Sequence, residues 1–306
     1  MPHTATAESL NATHGLPAQL HFDSGPGGWP YAHIRNGHAT ATVSLFGAQL
    51  LSFVPAALGA DLLFVSEGAV YEPGKAIRGG VPVCWPWFGP DPQGLGRPAH
   101  GLARTRPWAV HGASALPDGA TQLVLGLSDT AETQALWPHA FNLRLTITVG
   151  RTLRLALRTR NTGPSAFELT QALHSYFAVS DIAHASVNGL EGCRYIDKAT
   201  GANGANLQQS GPVHFSGEVD RVYNGAPAEL QLLDGERHGR TRIRSTGSRT
   251  AVVWNPGATV AARMADLPGD AWRRFVCVET ANAGDERISV PPGGQHTLGV
   301  EISQGD

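Results

Sequence analysis

Long apolar runs, cysteines and unbalanced charge are all scarce in this sequence, and each scarcity closes off a class of protein. No stretch reaches the roughly eighteen uninterrupted apolar residues of a membrane-crossing helix, so no bilayer span is expected. A formal net charge of -2 supplies no basic field for nucleic acid or an anionic membrane, although a local group of arginines can still hold one phosphate. The cysteines, Cys84, Cys193 and Cys277, are odd in number and far apart, with no CxxC or Cys/His pairing at zinc spacing. A reducing compartment fits that pattern best. The segment from Met1 to Leu20 lacks the basic start and apolar core of a signal peptide, so a cytoplasmic location is expected. Charged residues make up only 16% of the chain against 42% hydrophobic, which provides for a sizeable core and excludes a disordered chain.

What the chain does have is punctuation. With 37 glycines and 21 prolines, stretches long enough for helices are rare, while short apolar alternations between turn residues recur throughout. Leu143, Leu145, Ile147 and Val149 alternate with Arg144, Thr146 and Thr148; after Gly150-Arg151 the alternation resumes with Leu153, Leu155 and Leu157. A period of two on both sides of a Gly-X turn predicts a hairpin with one buried and one wet face. Shorter runs of the same kind lie at Leu123 to Leu127, Ala251 to Trp254, Phe275 to Glu279 and Leu298 to Ile302. Helices are expected only at Thr130 to Leu136 and Ala261 to Leu267, each stopped by a proline. No linker or repeat divides the chain. The expectation is an all-β protein of packed antiparallel sheets, with residues 1–20 a loose tail and residues 21–306 one β-sandwich domain.

Four segments carry residue types suited to chemistry. In Arg78-Gly79-Gly80-Val81-Pro82-Val83-Cys84-Trp85-Pro86-Trp87-Phe88-Gly89-Pro90, the aromatics can stack on the C–H face of a sugar, with Gly79 and Gly80 admitting the ligand. They can equally be core fillers in a proline-stiffened loop. His100 and Arg104 fall together in a loop-rich stretch, and a guanidinium fork matches phosphate in a way an ammonium does not. Thr170 to Phe177 reads as one strand placing His174 and Tyr176 on one face and Leu173 and Phe177 on the other. His174 is a candidate acid or base, or a satisfied structural histidine. In Phe275 to Glu279 a carboxylate ends an apolar strand, which calls either for an arginine partner such as Arg273 or Arg274, or for a catalytic role.

Taken in order, RGGVPVCWPWFGP, HGLAR, TQALHSYF, VVWNP and FVCVET resemble the hexose-6-phosphate branch of the aldose 1-epimerase (galactose mutarotase-like) superfamily, over about Val43 to Ile302. The resemblance implies a large antiparallel β-supersandwich with a few short helices. It implies an isomerase that interconverts the α and β anomers of a hexose 6-phosphate, with His174 as general acid and Glu279 as general base. It places Arg78, His100, Arg104 and Asp220 among the substrate-binding residues, with Glu218 alignable in place of Asp220. Gln171 and Trp254 are further candidates for the pocket wall. For the phosphate, Arg78 is the first choice, ahead of Arg104 and Lys75. No metal or other cofactor is implied; the expected partner is a small sugar phosphate, not nucleic acid or membrane, and the protein is expected to be a monomer. A mutarotase for unphosphorylated aldoses, a non-catalytic carbohydrate-binding sandwich and a two-carboxylate glycoside hydrolase are the competing readings.

Overall fold

Alternation becomes structure most directly in the predicted hairpin. In the computed structural model, which describes residues 5–200, 207–235 and 239–305, the strands Phe141–Val149 and Leu153–Asn161 pair antiparallel from Phe141 opposite Asn161 to Val149 opposite Leu153. The connection is three residues rather than two, closed by a hydrogen bond from the Gly150 amide to the Thr152 carbonyl. Leu143, Leu145, Ile147, Leu153 and Leu157 are fully buried, while at the alternate positions Arg154 and Arg158 are exposed, Arg144 and Thr146 half-buried and Thr148 covered. Each such aliphatic side chain contributes about 1.5–3 kcal/mol by leaving water.

The hairpin is part of an antiparallel eight-stranded sheet with the order Ala185–Asn188, Glu229–Asp234, Gly239–Thr246, Gln295–Gln304, Leu153–Asn161, Phe141–Val149, Thr121–Ser128 and Ala109–Ala115. A second eight-stranded sheet runs Leu207–Gln208, Arg194–Asp197, Val219–Asn224, Thr250–Asn255, Phe275–Asn282, Gln171–Leu173 and Val83–Cys84, with Tyr176–Ala178 also paired to Phe275–Asn282. Their apolar faces meet: Leu145, Leu157 and Leu298 from the first sheet join Tyr223, Val253, Val276 and Val278 from the second in one buried cluster. A four-stranded sheet, Leu20–Ser24, Pro30–Arg35, Ala39–Ser44 and Gln49–Pro55, adds Phe22, Ile34 and Phe53 to that cluster. The architecture is thus the expected β-sandwich with few helices. Among the described residues no helix is long and apolar enough to cross a membrane.

Several local expectations are corrected. Within the segment expected to be a loose tail, Ala7–His14 forms a helix capped by the Thr6 side chain, and Leu10 is buried. Asn11 ties this helix to the first strand by bonding both the amide and the carbonyl of Phe22. The helix foreseen at Thr130 to Leu136 is present as Ala131–Leu136, with a reciprocal capping box between Thr130 and Thr133. The other helix lies earlier than expected, at Gly257–Ala261, and the chain beyond it runs as turns. The single strand expected over Thr170 to Phe177 is broken into Gln171–Leu173 and Tyr176–Ala178, with His174 and Ser175 between them. The break occurs because the His174 amide bonds the Pro82 carbonyl and the Ser175 amide turns back to Leu173.

Candidate active site

Phe275–Asn282 is buried along its whole length, so both faces of this strand are covered. Val276 and Val278 enter the sandwich core, and strict alternation sends Phe275, Cys277 and Glu279 to the opposite face. Register then assembles a floor: Val252 lies opposite Glu279, Trp254 opposite Cys277, and Asp220 opposite Trp254. Glu279, Val252, Trp254 and Asp220 all line one cavity of about 420 Å³. The break after Leu173 projects His174 over this floor, where its ring stacks on Tyr176 at 4.9 Å between centroids and 13° between planes. The same-face placement of His174 and Tyr176 therefore holds although the strand does not.

His174 Nε2 lies 3.4 Å from Glu279 Oε1. The alternative partners considered for the carboxylate are engaged elsewhere or absent from the cavity: Arg273 pairs with Asp181, and Arg274 does not line the cavity. His174 Nδ1 and Glu279 Oε2 are buried without a hydrogen-bond partner, which costs free energy unless a ligand completes them. Burial pushes the Glu279 carboxyl well above its ordinary range, and the nearby Asp220 carboxylate pushes it the same way. Burial likewise pulls His174 well below 6.5, helped by His100, Arg104 and Arg78. A raised carboxylate is a stronger base and a lowered imidazolium a stronger acid, so each shift sharpens one proton-transfer role.

The rim is cationic. Arg78 directs Nε and Nη2 to Asp266 Oδ2, each at 3.0 Å, and Nη1 to the Tyr176 hydroxyl at 3.0 Å. Its fork is thus largely committed to the protein. Arg104, in the short turn Ala103–Thr105, donates one bond to the Ala99 carbonyl and keeps a buried, unpartnered Nε. His100 is held in the left-handed backbone region at φ 62, a costly conformation that its surroundings enforce. Its Nδ1 accepts from the Gly89 amide at 3.3 Å, so the neutral ring carries its proton on Nε2. Burial and neighbouring cations lower its pKa to about 3, which keeps it a neutral donor. Phe88 forms one wall, with Lys198 Nζ 5.2 Å from its ring centroid.

Of the nine residues given a catalytic or substrate-binding role in the sequence, seven therefore converge: His174, Glu279, Arg78, His100, Arg104, Asp220 and Trp254. Two do not. Gln171 shares the face of Leu173, is fully buried, and spends its amide on Asn282, beneath the cavity rather than along it. Lys75 is exposed outside the lining. Between the two acids that could be aligned, Asp220 faces the cavity, whereas Glu218 is exposed and lines a separate depression. Trp85 and Trp87 are buried core residues bonded to Thr159 and Pro98, so only Phe88 of that aromatic run reaches the cavity. Gly79 and Gly80 admit backbone and not ligand: an added Cβ would meet the Phe64 carbonyl oxygen at 2.4 Å and that of Leu50 at 2.1 Å. Lys198 was invisible in the sequence because a lone lysine after a short strand carries no spacing signal. Its amide donates to the Asp220 carbonyl, and that cross-strand contact is what brings it to the site.

Comparison with known proteins points one way. A profile of the family described as Aldose 1-epimerase matches residues 31–303. A protein of Escherichia coli K12 named "Putative glucose-6-phosphate 1-epimerase" is 42% identical over 248 residues, 80% of each chain. One of the same name from Cenchrus ciliaris is 35% identical, covering 83% of this chain and 78% of the other. The crystal structure of a Salmonella typhimurium protein described as a "putative mutarotase" superposes with a TM-score of 0.87 at 32% identity, covering 95% of both chains.

Proposed function

The chain belongs to the aldose 1-epimerase family, and from that premise we propose that its substrate is a hexose 6-phosphate whose ring is opened by His174 and Glu279. The observation that carries this reading is the pair itself, 3.4 Å apart with two buried unsatisfied atoms, beneath a rim of cations. Glu279 takes the proton from the C1 hydroxyl as the C1–O5 bond breaks. The bonding electrons go to O5, which receives a proton from His174, and the free aldehyde results. Rotation about C1–C2 and reversal of both transfers close the ring as the other anomer. The pair holds one proton throughout: the two shifts rest it on Glu279, the reacting form carries it on His174 with the ring closed, and ring opening delivers it back to Glu279. His100 Nε2–H and Asp220 supply a donor and an acceptor for ring hydroxyls. Arg78, locked by Asp266 and Tyr176, is better suited to orienting than to gripping a dianion.

The phosphate then falls to Arg104 and Lys198, the cavity cations that, among the described residues, are not already paired with a carboxylate. NMR exchange spectroscopy of α-glucose 6-phosphate against free glucose and galactose tests the substrate class. Faster exchange of the phosphorylated sugar supports the proposal, and equal acceleration of the free sugars overturns the phosphate assignment while keeping the chemistry. Lys198→Ala is expected to lower kcat/KM for the phosphorylated sugar about tenfold, the value of one charge-assisted bond, with free glucose unaffected. The three free thiols, two of them buried, support a reducing cytoplasmic setting.

A shared proton has a pH signature. Falling pH adds a second proton only through the lowered His174 value, and the base is then blocked; rising pH removes the single proton only through the raised Glu279 value. The expected pH profile of kcat/KM is a bell whose plateau extends above 6.5, the ordinary histidine value, where a lone imidazolium acid would already be losing activity. A steady decline from pH 6.5 upward would show that His174 titrates alone.

A further inference from the structure

Away from the cavity, the first two strands of the four-stranded sheet bring three metal-ligating side chains together. Leu20–Ser24 and Pro30–Arg35 pair antiparallel with His21 directly opposite His33. Leu20, Phe22, Ala32 and Ile34 are buried, so alternation forces His21, Asp23 and His33 onto the outer face together. The imidazoles stack at 5.0 Å between centroids, and His33 Nε2 lies 2.9 Å from Asp23 Oδ1. One nitrogen or oxygen from each of the three residues lies within 4.8 Å of the others.

We propose that His21, His33 and Asp23 form a surface site for a divalent transition-metal ion of the zinc type, with water completing a tetrahedron. Two imidazoles and one carboxylate are a donor set that zinc accepts, at bond lengths of about 2.0–2.2 Å and ligand separations near 3.3 Å. The side chains need only rotate inward, because the strand pairing already fixes their Cα positions. Thr42, opposite His33 on the next strand, places Oγ1 3.4 Å from His33 Nδ1. That contact orients the ring so that Nε2, which faces Asp23, is the ligand atom, as an outer-shell partner does in a built metal site. The ion would replace the His33–Asp23 contact and clip the edge strand, and with it the N-terminal helix held by Asn11, to the rest of the sheet. Calcium and magnesium are disfavoured, since they take oxygen-rich ligand sets.

The test is zinc competition against a chromophoric chelator, using the untagged chain together with His21→Ala and Asp23→Asn, both exposed changes. One equivalent bound by the parent chain, weakened tenfold or more in each variant, is the expected result. Copper(II), which binds such nitrogen sites more tightly, should show two-imidazole hyperfine structure in its electron paramagnetic resonance spectrum, lost in His33→Gln. No stoichiometric binding by the parent chain, or equal affinity in the variants, overturns the assignment.

Discussion

Glu279→Gln is expected to lower the anomerisation rate of α-glucose 6-phosphate by about 10²–10⁴-fold, the usual contribution of a positioned acid or base. Exchange spectroscopy reads that loss directly. The fold should be untouched, for the substitution is nearly isosteric and Glu279 Oε2 has no protein partner to lose. Replacing a buried ionisable group by a neutral amide also removes the cost of charging it, so the melting temperature should hold or rise. Activity lost at unchanged stability separates a chemical role from a structural one. His174→Ala should cost a similar factor. The double variant should cost little more than the worse single one, because two groups that exchange one proton act as a unit. Additive losses would mean independent roles, and unchanged exchange in Glu279→Gln would reject the acid/base assignment.

Much of this arrangement could be read before any coordinates. Alternation placed Glu279 on the face of Phe275 and Cys277 and put His174 with Tyr176, and both placements hold. Alternation also contained the warning about Gln171, which sits two residues before Leu173 and so must share its core-facing side. Contacts between strands distant in sequence were beyond reach. Lys198 reaches the cavity through pairing with Asp220, and Arg78 is anchored by Asp266 from a turn 188 residues away. The cross-strand pair of His21 and His33 shows no zinc spacing either, since antiparallel register and not sequence interval makes them neighbours. The run from Trp85 to Phe88 shows a different limit. Composition identified large rigid aromatics, but whether each faces ligand or core depends on what lies across from it.

Trp85 settles on the core, and for that reason Trp85→Ala is expected to destabilise the protein by about 3–5 kcal/mol, the range for deleting a fully buried large aromatic. The side chain has no exposed surface, and its ring centroid lies 4.4 Å from that of Phe141 and 5.0 Å from that of Trp137. Its Nε1 donates to Thr159 Oγ1 at 3.0 Å, and Thr159 is itself fully buried on a strand of the other sheet. Alanine would therefore open a cavity between the sheets and strand a buried hydroxyl at once. Against a typical total of about 5–15 kcal/mol, a loss of that size takes a large share of the stability. It should also reach the cavity, because backbone that shifts toward the lost ring carries with it the carbonyl that accepts from the Leu102 amide and helps hold the turn presenting His100 and Arg104. Denaturant unfolding should show a lower midpoint, and exchange measured on the folded fraction should be slower as well. Were stability to hold, Trp85 would have to be a ligand-facing wall after all, and its loss would then appear in KM alone.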